Sequence, residues 1–266
     1  MGELSAPSAS PDTRAVSRRA LTKGIAWSVP TVVASVAAPA YAASCPPVSV
    51  TTPWTSSNYK YTSATAGTYT VPDPDGTGPG TGMTVKVSSV FGDNTQAGNQ
   101  NVNRAGKTDY NLRASTGTRG GMSGTLVLHQ SPKDNAAKTS EATQANSQTV
   151  TFTFSKPVTG LSFTIADIDS AASDFRDQVT VSGGVVVSTA TDNRYVQTSG
   201  GTAYSIGTNT PIDEASSNAG NVKFTVSGTV TSITVTYYNT TAASDPRIDG
   251  DQGVFISPLA FTYTPC

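Results

Sequence analysis

Asp167, Asp169, Asp174 and Asp177 share one short stretch of the chain, within Gln148 to Gly184 (QTVTFTFSKPVTGLSFTIADIDSAASDFRDQVTVSGG). Calcium takes about six to eight oxygen ligands in flexible geometry, which clustered carboxylates and loop carbonyls can supply. These four aspartates are therefore candidate calcium ligands. Asp249 and Asp251, from a second acidic loop between Asp245 and Asp251, would join them if the strands beside the two loops are neighbours. The same residues also suit plain turns, where an aspartate bonds its own backbone, and Arg176 could neutralise one of them. The spacing is not the dense aspartate pattern of an EF-hand loop.

Catalytic chemistry has less to work with. His129 is the sole histidine, so no histidine cluster can bind a metal. It falls on the parity opposite Leu126 and Leu128 and is expected to be a partly exposed strand residue. No glycine-x-serine-x-glycine elbow is present. Glu141 and Glu214 both lie in polar stretches. No catalytic residue is assigned and a non-enzymatic protein is expected. A pair of carboxylates acting as in glycosidases is the enzyme chemistry left open. Trp54, Tyr59 and Tyr61 offer aromatic faces that suit the apolar faces of sugars; they serve equally well to cover one end of a core. Lys86 falls on the outward parity of its strand, which argues against an internal lysine crosslink.

The elements that must position these residues read as strands. Val150, Phe152 and Phe154 alternate with threonines, and Leu161, Phe163 and Ile165 alternate with Ser162, Thr164 and Ala166. Period-two patterning of this kind marks half-buried strands. Lys156-Pro157 is expected to break the run, because proline cannot donate to a ladder. Asp167 and Asp169 would leave on the face of Phe163 and Ile165. Unpaired charge does not stay in an apolar core, so that strand should end there with both carboxylates at the rim. Val179 and Val181 continue the pattern, and Gly183-Gly184 predicts a tight hairpin to Val185–Ser188.

Elsewhere, strands are expected at Gly67–Val71, Met83–Phe91, Tyr110–Ala114, Thr125–His129, Arg194–Thr198 and Thr202–Ile206. Rows at Val222, Phe224 and Val226, at Ile233, Val235 and Tyr237, and over Phe255–Thr264 complete the set. A short helix is expected around Ala136–Ala145. Ten to twelve strands without helical crossovers imply antiparallel pairing. The expected fold is an all-β, jelly-roll-like sandwich of two sheets.

Residues 1–42 read as a targeting segment. Ser17-Arg18-Arg19-Ala20-Leu21-Thr22-Lys23 resembles the twin-arginine export motif, Gly24–Val36 is apolar but too short to span a membrane, and Ala40-Tyr41-Ala42 fits a cleavage site. Residues 43–266 would form the single mature domain, secreted or associated with the cell envelope. Removing four basic and two acidic residues from totals of 17 and 18 leaves a net charge of about −3. Such a surface carries no basic stripe and argues against nucleic acid. Cys45 and Cys266 stand at the two ends of that domain, in a compartment that permits disulfides. A bridge between them is expected, with free thiols or an intermolecular bridge as alternatives.

The run from Val150 to Val181, with Phe154-Ser155-Lys156-Pro157-Val158 ahead of Asp167-Ile168-Asp169, resembles secreted bacterial β-sandwich surface modules of adhesin-like type, exported by Gram-positive cells through the twin-arginine route. So does Asp251-Gln252-Gly253-Val254-Phe255-Ile256-Ser257. The resemblance implies a surface location, calcium at the sheet rim, and an extracellular glycan or a surface protein as partner. It implies no activity.

Overall fold

The computed structural model describes residues 45–74, 82–98, 111–133, 142–171, 175–207, 211–240 and 252–265. The targeting segment, Asp174, Asp249, Asp251, Cys266 and most of the expected helix lie outside the described residues. The described residues belong to the compact unit Ser44–Cys266.

The protein is all-β and every pairing between its strands is antiparallel. Its spine is two long strands, β7 (Ser147–Ala166) and β12 (Val222–Thr240), paired from Ser147↔Tyr238 to Ile165↔Val222. Along its other edge β7 pairs in turn with β4 (Met83–Phe91), β14 (Leu259–Tyr263) and β13 (Gln252–Ile256). The far edge of β12 takes β8 (Arg176–Ser182) and β9 (Val185–Ala190). The remaining strands extend these. β1 (Val48–Thr52) pairs β14, and β2 (Tyr59–Ser63) with β3 (Ala66–Val71) leads to β4. β5 (Thr95–Ala97) with β6 (Leu126–Pro132) leads to β13, and β10 (Val196–Ser199) with β11 (Thr202–Ser205) leads to β8. The fourteen strands among the described residues thus belong to one hydrogen-bonded network.

The two strands expected on either side of Lys156-Pro157 are one strand. Positions 155–157 have no ladder partner on either edge, so Pro157 withholds a donor that no neighbour needs. The inward residues of β7 are even-numbered up to Val158 and odd-numbered from Leu161. Those of β12 switch likewise, from Val222, Phe224 and Val226 to Ile233, Val235 and Tyr237. Between the two halves the register shifts, and Gly160 and Gly228 take the left-handed backbone at φ 62° and 86°. A one-residue slip would otherwise turn half of each strand inside out; the bulge absorbs it.

Gly183-Gly184 is not a hairpin turn. β8 and β9 run on in the same direction, each along its own half of β12. The glycines let the chain lie against the β12 bulge: a Cβ on Gly183 would come within 2.6 Å of the Ser232 carbonyl oxygen. Gly200-Gly201 does close the expected hairpin, between β10 and β11. The expected strand Tyr110–Ala114 is instead a turn at Asn111 and Leu112, with only a single bridge from Ala114 to Leu126. Phe255–Thr264 is split at Ser257-Pro258 into β13 and β14, and Gln144–Asn146 forms a 3-10 turn.

With no α-helix among the described residues, the sheet covers its own apolar face. One cluster joins Trp54, Val85, Phe152, Ile165, Phe224 and Phe261 from five parts of the chain. His129 has the expected parity but is fully buried. β6 is covered on both faces, and Gly98 lies so close over the imidazole that a Cβ there would sit 2.4 Å from it.

Candidate acidic site at the end of β7

β7 ends at Ala166, where its pairing to Phe255 stops. Asp167 then adopts φ 72°, a left-handed conformation that aspartate tolerates better than bulkier residues. Strand parity ends at this turn, and neither carboxylate is left exposed at the rim. Asp167 is half-buried, Ile168 is fully buried in the core, and Asp169 is 3% exposed. The Ile168 N–H donates to the Gly220 carbonyl (3.1 Å), anchoring the turn to the start of β12.

Asp169 is tied to β8 twice. The Asp177 N–H donates to the Asp169 carbonyl (2.9 Å), and the Asp169 N–H donates to Asp177 Oδ2 (3.2 Å). The other Asp177 oxygen accepts from the Tyr237 hydroxyl at 2.7 Å. Asp169 Oδ2 accepts the backbone N–H of Ile212. The segment after Ile212 brings Glu214, whose carboxylate lies 3.6 Å from Arg119 and whose carbonyl accepts from the Gly120 N–H. Arg119 is itself buried and lies over the Phe255 ring at 4.9 Å.

Carboxylates thus outnumber the guanidinium beside them. Asp167 is pushed well above the usual carboxylate range, first by desolvation and then by Asp169, Glu214 and Asp177, with Arg119 offsetting part of it. Asp169 is raised to about 7, chiefly by burial; the Ile212 N–H opposes the rise and Glu214 adds to it. A buried carboxyl with a neutral partner form near pH 7 can hold a proton or exchange it for a cation. Among the described residues no group of three or more His, Cys, Asp or Glu side chains is placed to hold a metal ion by itself.

The sequence points to Asp167, Asp169 and Asp177, and the structure brings these three together. It does not point to Arg119 or Glu214, which reach the site from distant loops. The expected neutraliser, Arg176, turns away: its Nε donates to the Ser205 carbonyl (2.7 Å) and its guanidinium sits 6.0 Å from the Tyr204 ring.

The aromatic trio is not an exposed platform. Trp54 is 1% exposed, packs edge-on to Tyr59 and Tyr69, and donates its indole N–H to the Ser257 carbonyl at 3.0 Å. Tyr59 donates its hydroxyl to the Leu112 carbonyl (2.7 Å), and burial holds that phenol above its ordinary range, with Tyr61 adding to the rise. Tyr61 is half-buried beneath the Arg113 guanidinium, 4.7 Å away. Lys86 is exposed, as expected.

Compared with protein-family models, curated proteins and solved structures, the chain matches none of them. Among the described residues no helix is long and apolar enough to cross a membrane.

Proposed function

We propose that the protein is a secreted, non-catalytic module that binds an extracellular glycan or a surface protein and is stabilised by calcium at the end of β7. Among the described residues, the surplus of carboxylates around Asp167 and Asp169 over the Arg119 guanidinium carries this reading. A divalent cation would offset the burial that chiefly raises both aspartates and the repulsion from neighbouring carboxylates that adds to it. Asp167 and Asp169 would supply carboxylate oxygens, and loop carbonyls the rest of the shell. The export signal, the envelope location and the jelly-roll sandwich belong to the same reading.

A disulfide between Cys45 and Cys266 belongs to it too. β1 and β14 pair with Val48 opposite Tyr263, and in the sequence Cys45 precedes Val48 by three residues as Cys266 follows Tyr263 by three. In the chain-entropy model, closing so long a loop contributes roughly 5 kcal/mol.

The second reading is a secreted carbohydrate-active hydrolase. It is favoured by the burial of Asp169, which pushes that carboxyl up to about 7, into the range where a general acid works best. Incubating the exported protein with cell-wall polysaccharide and whole cells separates the two. Retention on the wall fraction without release of reducing sugar supports the module. Release of sugar that Asp169→Asn abolishes would replace it with the hydrolase.

A further inference from the structure

The outward face of β8 and its two neighbours carries a second set of aromatic residues. Along β8 the buried positions are Asp177, Val179 and Val181, so Gln178 and Thr180 face out, half-buried. On β11, Ala203 and Ser205 are buried, and Thr202 and Tyr204 alternate with them. On the later half of β12, Ile233, Val235 and Tyr237 are buried, and Thr236 and Tyr238 take the outward positions.

The register lines these residues up across three strands. Tyr204 and Tyr238 are both direct partners of Gln178, one on each side. Thr202 and Thr236 are likewise both partners of Thr180. Two adjacent rows result, Tyr204-Gln178-Tyr238 and Thr202-Thr180-Thr236. Neighbouring strands lie about 4.8 Å apart, so the two tyrosines leave the backbone roughly 10 Å from each other. The threonine row runs roughly 7 Å to one side of them.

Contacts within the face fix its side chains before any ligand arrives. Thr180 Oγ1 lies 3.1 Å from Thr202 Oγ1. The Tyr204 hydroxyl donates to Oε1 of Gln197, its partner on β10, at 2.8 Å. The Arg176 guanidinium sits 6.0 Å from the Tyr204 ring, with its Nε on the Ser205 carbonyl. A surface ordered in advance loses less entropy on binding.

Strand propensity accounts for a tyrosine or a threonine on a sheet face one at a time. It does not call for two tyrosines across the same glutamine. The set has a ligand chemistry of its own. Tyrosine rings offer apolar faces; the glutamine amide donates and accepts, as does each threonine hydroxyl. A sugar ring presents the complement, an apolar face with a rim of hydroxyls. Among the described residues, the outward positions of β8, β11 and the later half of β12 hold no carboxylate, and Arg176 is the sole charge there. That suits an uncharged ligand. A protein partner would call for an apolar centre, whereas an amide lies between these two rings.

We propose that this face binds a neutral polysaccharide, with Tyr204 and Tyr238 stacking on sugar rings of one chain while Gln178 and the threonine row bond its hydroxyls. The assignment rests on the glycan reading given above, and moves the sugar contacts from Trp54, Tyr59 and Tyr61 to this face.

The test is affinity electrophoresis of the mature protein in native gels containing hydroxyethylcellulose, glycol chitin or mannan, run beside a pull-down on the cell-wall fraction. Retardation of the wild type in at least one gel is expected. Tyr204→Thr with Tyr238→Thr, which keeps β-branched residues on both strands, should weaken it by roughly tenfold or more in apparent Kd. Should that pair not fold, Gln178→Ala leaves both rings in place and should weaken retardation several-fold. If the wild type is retarded and the folded variants are retarded equally, the face is overturned and the glycan reading stands. Wild type that runs freely in all three gels yet stays on the wall fraction also overturns the face alone. Wild type that does neither overturns the glycan reading and the face with it.

Discussion

The acidic end of β7 and the aromatic cluster around Trp54 are both built from residues with binding chemistry, yet the fold treats them in opposite ways. Trp54, Tyr59 and Tyr69 pack edge to face, and the polar tips of Trp54 and Tyr59 end on backbone carbonyls. Their large apolar area is worth most inside, and one hydrogen bond apiece satisfies what remains. For Asp169 the Ile212 N–H opposes only part of the cost of burial. Burial raises both Asp167 and Asp169, their carboxylate neighbours add to it, and at Asp167 the Arg119 guanidinium offsets only part of the rise. Chemistry absorbed by packing is structural; chemistry that packing leaves strained is where a ligand has something to gain.

The comparison breaks first if Trp54 is dispensable. Trp54→Ala removes a fully buried side chain and leaves a cavity, and should cost about 4 kcal/mol, measured by denaturant unfolding. A loss under about 1 kcal/mol would mean that Trp54 is exposed in solution.

pH sharpens the other half. A carboxyl whose folded pKa is raised keeps its proton where the unfolded chain has released it. Its stabilising contribution is whole below the unfolded value, near 4, and is lost as pH rises through about 7. In calcium-free buffer the melting temperature should therefore fall between about pH 4 and pH 7, by an amount equivalent to a few kcal/mol at most. Asp169→Asn, which keeps an acceptor for the Ile212 N–H, should flatten much of that fall. A melting temperature that rises over this interval, and is unaffected by the substitution, would show these carboxyls to be solvated.

The smallest effect belongs to the tip of the aromatic cluster. Tyr59→Phe removes one hydroxyl donor to the Leu112 carbonyl and keeps the ring, so it should cost about 1 kcal/mol. A change of several kcal/mol would mean that the phenol has a larger role than a capped core residue.

The strand content was legible because period-two rows such as Val150–Phe154 and Val222–Val226 carry their own signal. Met83–Phe91 appears with the expected bounds. The long strands were not legible as such. Pro157 and the parity switch at Gly160 look like chain breaks unless the partner strand is known to skip the same positions. Gly183-Gly184 likewise matches a hairpin signal, and only the packing against Ser232 shows why glycine is needed. Asp167, Asp169 and Asp177 could be read from the sequence because carboxylates must leave an apolar row. Arg119 and Glu214 could not, since nothing local ties them to positions some fifty residues away in either direction.

Whether the end of β7 takes a cation decides between a strained acidic pocket and a calcium site. Thermal melts of metal-stripped mature protein at pH 7.5, with millimolar calcium against chelator, test this most directly. The prediction is a rise of several degrees with calcium by mass action on the folded state, abolished in Asp167→Ala with Asp169→Ala, which should still melt cooperatively. Superimposable melts with and without calcium in the wild-type protein would contradict it.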